Sequence, residues 1–418
     1  MDGNRRTLFS DAIARMIPLL NPQRERVFHH GMKSLLPSLV VLSIATLMST
    51  SPAPAAAAAG QQLVYFGTYT GKKSQGIYVS RLDLATGALS KPELAVETKS
   101  PSFLAIHPNK KFLFAVGEIN DFEGKKAGGV SSFAIDAATG KLTLLSAQSS
   151  GTPGPCHVSV DHAGKVALVA NYGGGSVAAL PIAADGKLSP ASTHIQHGGV
   201  AADGRPLQPH AHSINVSKDN KFAFAADLGL DKVLVYKLDP ATGGLAANDP
   251  AFTAVPTGSG PRHFAFHPSG RFAYVINERT MTMTAFSYDE KRGELKVIET
   301  VSTLPPGETV QKGQSTAEVQ VHPSGKFVYG SNRGHHTIVV FAVDEKTGRL
   351  THVENTSTQG KTPRNFGIDP TGAFLLAANQ DTDNVFVYRI DSKTGKLTPT
   401  GGSVEVGSPV CVKFLTVK

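Results

Sequence analysis

The amino-acid sequence predicts an all-β protein, a seven-bladed β-propeller whose last blade is closed by both termini. Three observations support this fold class. The chain of 418 residues contains 42 glycines and only 18% charged residues, which suits a turn-rich β protein. A short turn motif and a pair of alternating strands both recur about every fifty residues. Half-copies of this repeat stand at the two ends of the repetitive region.

The first sixty residues differ from the rest and are interpreted as a leader with a secretory signal. Lys33 precedes an apolar run over residues 35–48, and a Pro/Ala-rich spacer follows up to Gly60. A positive residue, a short apolar run and small residues that offer A-x-A cleavage sites are typical of signal peptides. The run is short for a transmembrane helix. We therefore expect a periplasmic or secreted protein without stable membrane insertion after cleavage; an uncleaved membrane anchor is the alternative.

The turn motif marks the outer part of each repeat. Its seven copies have glycines 46 to 57 residues apart and read ATGAL (85–89), ATGKL (138–142), ADGKL (184–188), ATGGL (241–245), KRGEL (291–295), KTGRL (346–350) and KTGKL (393–397). Glycine at this position suits a hairpin turn that needs a positive φ. An alternating strand such as KVLVYKLD or NVFVYRID precedes most copies, which predicts a hairpin at each.

A second unit, two short strands around a turn, precedes each of those hairpins. Six complete copies include GPRHFAFHPSGRFAYVINE (260–278) and TPRNFGIDPTGAFLLAANQ (362–380). The last copy, SPVCVKFLTV (408–417), is only half of the unit, and LVYFGTYT from Leu63 supplies the other half. Residues 61–418 therefore form one domain, whose 358 residues (418 − 60) divide into seven units of about 51. Units of four short strands are propeller blades, and splitting one blade between the termini closes the ring.

Ionisable residues interrupt the apolar strands at three recurring positions. Two are adjacent at the start of the inner strand, and the third follows the second strand. Equivalent positions of all blades lie on a ring around one axis, so these residues are expected to converge at one end of the channel. Four consecutive repeats contribute the set His212, Arg262, His263, Glu278, Glu318, Arg333 and Arg364. Such a mixture suits acid–base chemistry on an anionic oxygen substrate, although polar channel residues can also serve only to bind water and bridge blades.

Five motifs resemble the propeller-type lactonase family, which includes 6-phosphogluconolactonases and carboxymuconate cyclases. They are PHAHS (209–213), GPRHFAFHP (260–268), Asn277-Glu278, SNRG (331–334) and TPRNFGIDPTG (362–372). The resemblance covers residues 63–417 and implies a site at one channel mouth that performs lactone-ring chemistry without a required metal or other cofactor. It also implies catalytic roles for His212, Arg262, Glu278 and Arg333.

Hydrolysis of a sugar lactone is the leading functional hypothesis, with 6-phosphoglucono-1,5-lactone or a related aldonolactone as substrate. His212 or Glu278 is predicted to activate water, and Arg262 and Arg333 to stabilise the oxyanion. The residues predicted to bind substrate are His210, His263, Glu318, Arg364 and His157. Two alternatives remain open, a muconate-type lactonising cyclase and a non-catalytic exported binding module.

Other partners are expected to be few. The formal net charge of +8 is spread along the chain without a basic helix, so nucleic-acid binding is not predicted. We expect a monomer and no metal, although His210 and His212 with Glu278 or Glu318 could ligate a divalent cation. The two cysteines, Cys156 and Cys411, fall in repeats two blades apart, which predicts buried free thiols rather than a disulfide.

Overall fold

A computed structural model of the protein describes residues 60–201 and 204–416. The predicted leader, apart from Gly60, lies outside the described residues. The described chain folds into seven four-stranded antiparallel sheets, and each predicted repeat forms one sheet, or blade. In this part of the chain no helix is both long enough and apolar enough to cross a membrane.

The blades are numbered in chain order. Blade 1 contains β1 (Gln61–Thr68), β2 (Gly76–Asp83), β3 (Glu93–Glu97) and the last strand, β28 (Pro409–Thr416). Blades 2 and 3 contain β4 (Leu104–Ile106), β5 (Phe112–Gly117), β6 (Gly129–Ile135), β7 (Leu142–Ser149), β8 (Pro155–Val160), β9 (Val166–Asn171), β10 (Ser176–Pro181) and β11 (Thr193–Gln196). Blades 4 and 5 contain β12 (Ala211–Val216), β13 (Phe222–Asp227), β14 (Lys232–Asp239), β15 (Gly244–Ala254), β16 (Pro261–Phe266), β17 (Phe272–Asn277), β18 (Thr282–Asp289) and β19 (Glu294–Ser302).

Blades 6 and 7 complete the ring. They contain β20 (Ser315–Val321), β21 (Phe327–Arg333), β22 (Thr337–Val343), β23 (Leu350–Ser357), β24 (Pro363–Ile368), β25 (Phe374–Asn379), β26 (Asn384–Ile390) and β27 (Leu397–Glu405). A 3-10 turn, Gln380–Thr382, follows β25. The innermost strands contact one another in the cyclic order β28, β4, β8, β12, β16, β20, β24 and back to β28, so they enclose a central channel.

The two ends of the repetitive region meet in blade 1, as the half-copies predict. Strand β28 pairs antiparallel with β1 in a register that places Cys411 opposite Gly67 and Leu415 opposite Leu63. Both partners are buried along most of their length. Closing the ring with the C-terminal strand removes the open sheet edge that β1 would otherwise present.

The outer turns pack against the preceding blade and form hydrogen bonds with it. Gly348 of KTGRL has φ +76° and lies against the Phe272 ring of the preceding blade, where an added Cβ would come within 2.5 Å. Its carbonyl oxygen accepts a 3.2 Å hydrogen bond from Tyr274. Glycine is therefore needed both for the backbone conformation and for the close approach.

The histidines of the His-Pro turns also connect blades. The Nε2 atoms of His107, His267 and His322 each bond a glycine carbonyl oxygen of the next blade, at 2.7 to 2.9 Å. Their contacts are those of turn residues far from the channel mouth. Cys156 and Cys411 are buried free thiols, which confirms that prediction.

Candidate active site

Each inner strand from blade 3 onward contains a β-bulge near its start. In blade 5, Pro261 pairs with Asn277 and His263 pairs with Ile276, so Arg262 between them has no cross-strand partner. A bulge re-aims side chains and lets adjacent residues leave the usual alternation between sheet faces. The same irregularity occurs in blades 3, 4 and 7. There it leaves Cys156, His212 and Arg364, respectively, without a cross-strand partner.

The bulged residues meet the ends of the second strands at one end of the channel. They enclose a cavity of about 180 Å³, here called the mouth cavity, lined by Glu118, Cys156, Tyr172, His212, Glu278, Arg333 and Arg364. Three of the predicted catalytic residues and the predicted substrate-binding Arg364 therefore share one cavity. The fourth predicted catalytic residue, Arg262, lines a narrow extension of about 10 Å³ below it.

Glu278 is held between two arginines. Its Oε2 atom lies 2.9 Å from Nε of Arg262 and 2.8 Å from Nη2 of Arg333. Burial on its own raises the pKa of Glu278, but the charges of Arg262, Arg333 and Arg364 outweigh it and bring the pKa below its usual value. Glu278 is therefore an ionised carboxylate whose Oε2 atom is already engaged by two guanidinium groups.

The two arginines are fixed by the backbone of blade 6. Arg262 is only 2% exposed and donates from Nη1 to the carbonyl oxygen of Ala317 at 2.8 Å. Arg333 donates from Nε and Nη2 to the carbonyl oxygen of Thr316 at 3.1 and 2.8 Å. Burial lowers the pKa of Arg333 to about 10, so it remains charged at neutral pH. Both guanidinium groups are thus held in place before any substrate arrives.

Arg364 differs from these two because its guanidinium group has no ion-pair partner within residues 60–201 and 204–416. It lies 5.4 Å from the ring centroid of Tyr69. The Tyr69 hydroxyl donates to both oxygens of Glu118, at 3.0 and 2.9 Å. Burial alone lowers the pKa of Arg364, but Tyr69, Glu118 and Glu278 more than compensate and raise it. Arg364 is therefore a charged group available to a ligand in the mouth cavity.

His212 is a neutral imidazole at neutral pH. Burial and the positive charge of Arg262 lower its pKa well below 6.5. Its Nδ1 atom lies 3.6 Å from the sulfur of Cys156, and that sulfur is 3.4 Å from the carbonyl oxygen of His212. Burial raises the pKa of Cys156, so the thiol stays protonated. Cys156 can donate S–H to the carbonyl while accepting from Nδ1–H, which leaves Nε2 of His212 unprotonated.

His210, predicted to bind substrate, does not line the mouth cavity but contacts Tyr172, which does. Its ring stacks on Tyr172 with centroids 4.5 Å apart, and its Nδ1 donates to the Tyr172 carbonyl oxygen at 3.0 Å. The backbone N–H of His210 is held by Asp227, whose Oδ1 also accepts from the N–H groups of Gly229 and Leu230.

Asp227 belongs to a buried network that supports this segment. Its Oδ2 atom lies 2.7 Å from Nδ1 of His197, and Nε2 of His197 lies 2.8 Å from the hydroxyl oxygen of Tyr236. The carboxylate and the imidazole are fully buried. The equivalent position at the end of the second strand is asparagine in four other blades; it is the last residue of the strand at Asn171, Asn277 and Asn379 and the last but one at Asn332.

Three predicted substrate-binding residues, His157, His263 and Glu318, do not line the mouth cavity. They line a second cavity of about 520 Å³, here called the opposite cavity, together with residues farther along the inner strands such as Gln320 and Lys413. Each of the three follows a bulged position directly. Because a strand rises about 3.3 Å per residue, each therefore lies about that much farther down the channel. His263 still converges with His212 as predicted, because their ring centroids lie 5.3 Å apart and both line the narrow extension. His157 and Glu318 line only the opposite cavity, since the bulge directs successive residues toward different cavities.

Four lining residues were missing from the predicted site. Glu118 and Tyr172 stand at the end of the second strands of their blades, at the position that Glu278 and Arg333 occupy. The alignment of the repeats could therefore have identified them as site residues. Tyr69 follows β1 in the split blade, where no equivalent was identified. Cys156 shares the bulged position of His212 and Arg262. Within the described residues, no group of three or more His, Cys, Asp or Glu side chains is arranged to hold a metal ion.

Comparison with known proteins agrees with this architecture. Residues 63–414 match the family model described as lactonase, 7-bladed beta-propeller. A 6-phosphogluconolactonase of Bacillus subtilis is 39% identical over 351 residues, which cover 84% of this chain and 97% of that protein. A 6-phosphogluconolactonase of Formosa agariphila is 32% identical over 308 residues, covering 72% and 85% of the two chains.

A solved structure gives the same result. The structure of a periplasmic gluconolactonase of Pseudomonas aeruginosa is 36% identical, with a TM-score of 0.79, and the match covers 86% of this chain and all of that one (100%). These matches confirm the resemblance that the five sequence motifs indicate. The chain belongs to the lactonase family of seven-bladed β-propellers.

Proposed function

We propose that this protein hydrolyses a sugar lactone, an aldono-1,5-lactone, in the mouth cavity. The observation that carries the proposal is the convergence of a neutral histidine, His212, with the unpaired cation Arg364 in one small cavity. Around them, three guanidinium groups (Arg262, Arg333, Arg364) and two carboxylates (Glu118, Glu278) leave one formal positive charge in excess. That balance favours a reaction in which negative charge develops on oxygen.

His212 acts as the general base. Its Nε2 atom takes a proton from a water molecule, whose oxygen then attacks the lactone carbonyl carbon. The negative charge moves to the carbonyl oxygen, beside Arg364 and Arg333. When this tetrahedral intermediate collapses, the bond to the ring oxygen breaks, and that oxygen takes the proton back from His212. The product is the open hydroxy acid, which loses its proton to solvent.

Glu278 is the less suitable base of the two predicted candidates. Its lowered pKa and its contacts with Arg262 and Arg333 reduce its affinity for a proton. We propose that Glu278 instead aligns Arg333 toward the substrate. Arg262, which lies under the mouth cavity, would position Glu278 and add positive charge to the cavity.

The substrate is proposed to be an unphosphorylated lactone. The predicted secretory signal favours a substrate found outside the cytosol, and the P. aeruginosa relative is described as a periplasmic gluconolactonase. The B. subtilis relative is described as a 6-phosphogluconolactonase, so the 6-phosphate is the comparison substrate.

The test is the opening of glucono-1,5-lactone and of its 6-phosphate, measured above the spontaneous rate. We expect His212→Asn to lose about 10²–10⁴-fold in kcat, as is typical when a general base is removed. Arg364→Met is expected to raise KM and lower kcat. His352→Asn, in the outer strand β23, is the matched control and should retain full activity.

Two outcomes would contradict the proposal. Full activity of His212→Asn would refute the assignment of the base. Failure of the wild-type protein to accelerate the opening of either lactone would refute hydrolysis. In the second case cyclisation of a muconate dianion, for which the three arginines are also suited, is the reaction to assay next.

A further inference from the structure

The opposite cavity is a compartment of its own. It has a volume of about 520 Å³, within the range of small-molecule sites, and lies at the far ends of the inner strands from the mouth cavity. Phe103 and His263 border both the opposite cavity and the narrow extension that contains Arg262. Because that extension holds only about 10 Å³, a substrate cannot pass from one cavity to the other.

The side-chain acceptors of Glu318 and Gln320 in the opposite cavity are already used, and Nε2 of His263, which has no hydrogen-bond partner among the described residues, is buried. Oε1 of Glu318 accepts from the N–H of Val319 at 3.0 Å and lies 3.1 Å from Nδ1 of His263. Its Oε2 accepts from the side-chain amide of Asn365. The amide of Gln320 donates to one backbone carbonyl oxygen and accepts from one backbone N–H of blade 7. A ligand that offers hydrogen-bond donors would therefore find few acceptors.

Donors, in contrast, remain free. His157 is 5% exposed, and its Nδ1 accepts from the N–H of Ile214 at 3.3 Å, which places its proton on Nε2. The Nδ2 atom of Asn215 is buried without a partner. Lys413 places its ammonium group 4.5 Å from the ring centroid of Phe103 and has no carboxylate partner in the described parts of the chain.

We propose that the opposite cavity binds a small organic carboxylate. The carboxylate group would contact the ammonium group of Lys413, Nε2–H of His157 and the amide of Asn215, because charge-assisted hydrogen bonds to such donors are strong. The hydrocarbon part would pack against the apolar side chains that line the rest of the cavity, among them Phe103, Phe264, Phe266, Val412 and Phe414. This site is independent of the proposed lactone hydrolysis.

The charge of Glu318 makes this binding dependent on pH. Burial raises the pKa of Glu318 to about 7, against the opposing effect of Lys413 and Arg262. Burial also lowers the pKa values of His157 and His263, so both are neutral. The other ionisable group that lines the cavity is His162. Below pH 7, Glu318 is uncharged and Lys413 attracts the ligand; above pH 7, the Glu318 carboxylate repels it.

Calorimetric titration of the protein with sodium benzoate tests the proposal, with benzyl alcohol as the uncharged analogue. We expect benzoate alone to bind, at least threefold more tightly at pH 6 than at pH 8. Lys413→Met should weaken benzoate binding at least tenfold while lactone hydrolysis continues. Lys396→Met, a substitution on the exterior, is the matched control. Arg364→Met should retain benzoate binding, since Arg364 belongs to the mouth cavity.

Three results would overturn the proposal: no binding of benzoate at pH 6, equal affinity of Lys413→Met and wild type, or loss of binding in Arg364→Met. Binding of inorganic phosphate without benzoate would also overturn the ligand class. Should Lys413→Met fail to fold, Asn215→Leu replaces it, with an expected severalfold loss of affinity. Equal affinity at pH 6 and pH 8, a comparison that needs no variant, would refute the role of Glu318.

Discussion

His212 and Glu278 are the two mouth-cavity residues predicted to activate water, and their surroundings give them different roles. His212 is buried beside a protonated thiol, so its imidazole stays neutral with one free nitrogen. Glu278 is ionised but shared between two guanidinium groups. A base needs a free lone pair near the substrate, which favours His212.

The pH dependence of kcat/KM follows from this assignment. Only neutral His212 accepts a proton, so activity should fall as the pH drops through its pKa. Because burial and Arg262 hold that pKa well below 6.5, we expect constant kcat/KM between pH 8 and 6.5 and a decline only at lower pH. Rates of lactone opening, corrected for spontaneous opening at each pH, provide the measurement. An acidic decline centred at or above pH 6.5 would contradict the assignment, and Glu278→Gln should lower kcat without moving that decline.

At the scale of secondary-structure elements, the β-bulge explains why only some of the predicted site residues share the mouth cavity. The repeat identifies the start of each inner strand, and Arg262 and His263 both interrupt its apolar pattern. Sequence periodicity does not reveal that Arg262 is unpaired while His263 returns to the regular register. Consequently the sequence identifies these channel-facing positions, but not which end of the channel each side chain reaches.

Tyr69 was missed for a different reason. It follows β1, so it is the counterpart in blade 1 of Glu118, Glu278 and Arg333. The inner strand of that blade, β28, comes from the other end of the chain, so the two halves of its repeat are not adjacent in sequence. The contact of Tyr69 with Glu118 joins blades 1 and 2, which only the folded ring brings together.

Asp227 holds the backbone of the segment before β12 in place through its hydrogen bond with the N–H of His210. Asp227→Asn keeps an oxygen for the backbone N–H groups but removes the negative charge that faces His197. Weakening this buried network is expected to lower the free energy of unfolding by about 1–3 kcal/mol. Because Asp227 also holds His210, which stacks on Tyr172, we expect KM for the lactone to rise more than kcat falls. Urea denaturation and steady-state kinetics measure the two effects.

Tyr236→Phe is the graded control for this prediction. It removes only the outermost hydrogen bond of the network, to Nε2 of His197, and should therefore cause a smaller change in both quantities. Unchanged KM in Asp227→Asn would show that the network supports the fold without positioning the cavity wall.

At the scale of the whole molecule, the number of blades was predictable because seven similar turns and seven strand pairs span the domain. Leucine, valine and phenylalanine at alternating positions pack between neighbouring blades, so each repeat specifies the same local structure. The ionisable residues that interrupt the apolar strands differ between repeats and line the channel cavities. Sequence similarity between repeats thus predicts the ring, and the differences between repeats indicate its chemistry.

The predicted export can be tested directly. We expect lactonase activity in the periplasmic or extracellular fraction of cells that produce the protein, with a new N-terminus close to Gly60. A variant that lacks residues 35–48 is expected to keep its activity in the cytosol. Activity of the unaltered chain in the cytosolic or the membrane fraction would contradict the prediction.

The pairing of β28 with β1 also has a consequence for the order of events during synthesis. Blade 1 lacks its innermost strand until residues 409–416 are available to pair with β1, more than 340 residues after that strand. Until then the ring stays open, and the nascent polypeptide cannot reach its final form. If the predicted export is correct, this late closure of the ring would help to keep the chain unfolded while it crosses the membrane.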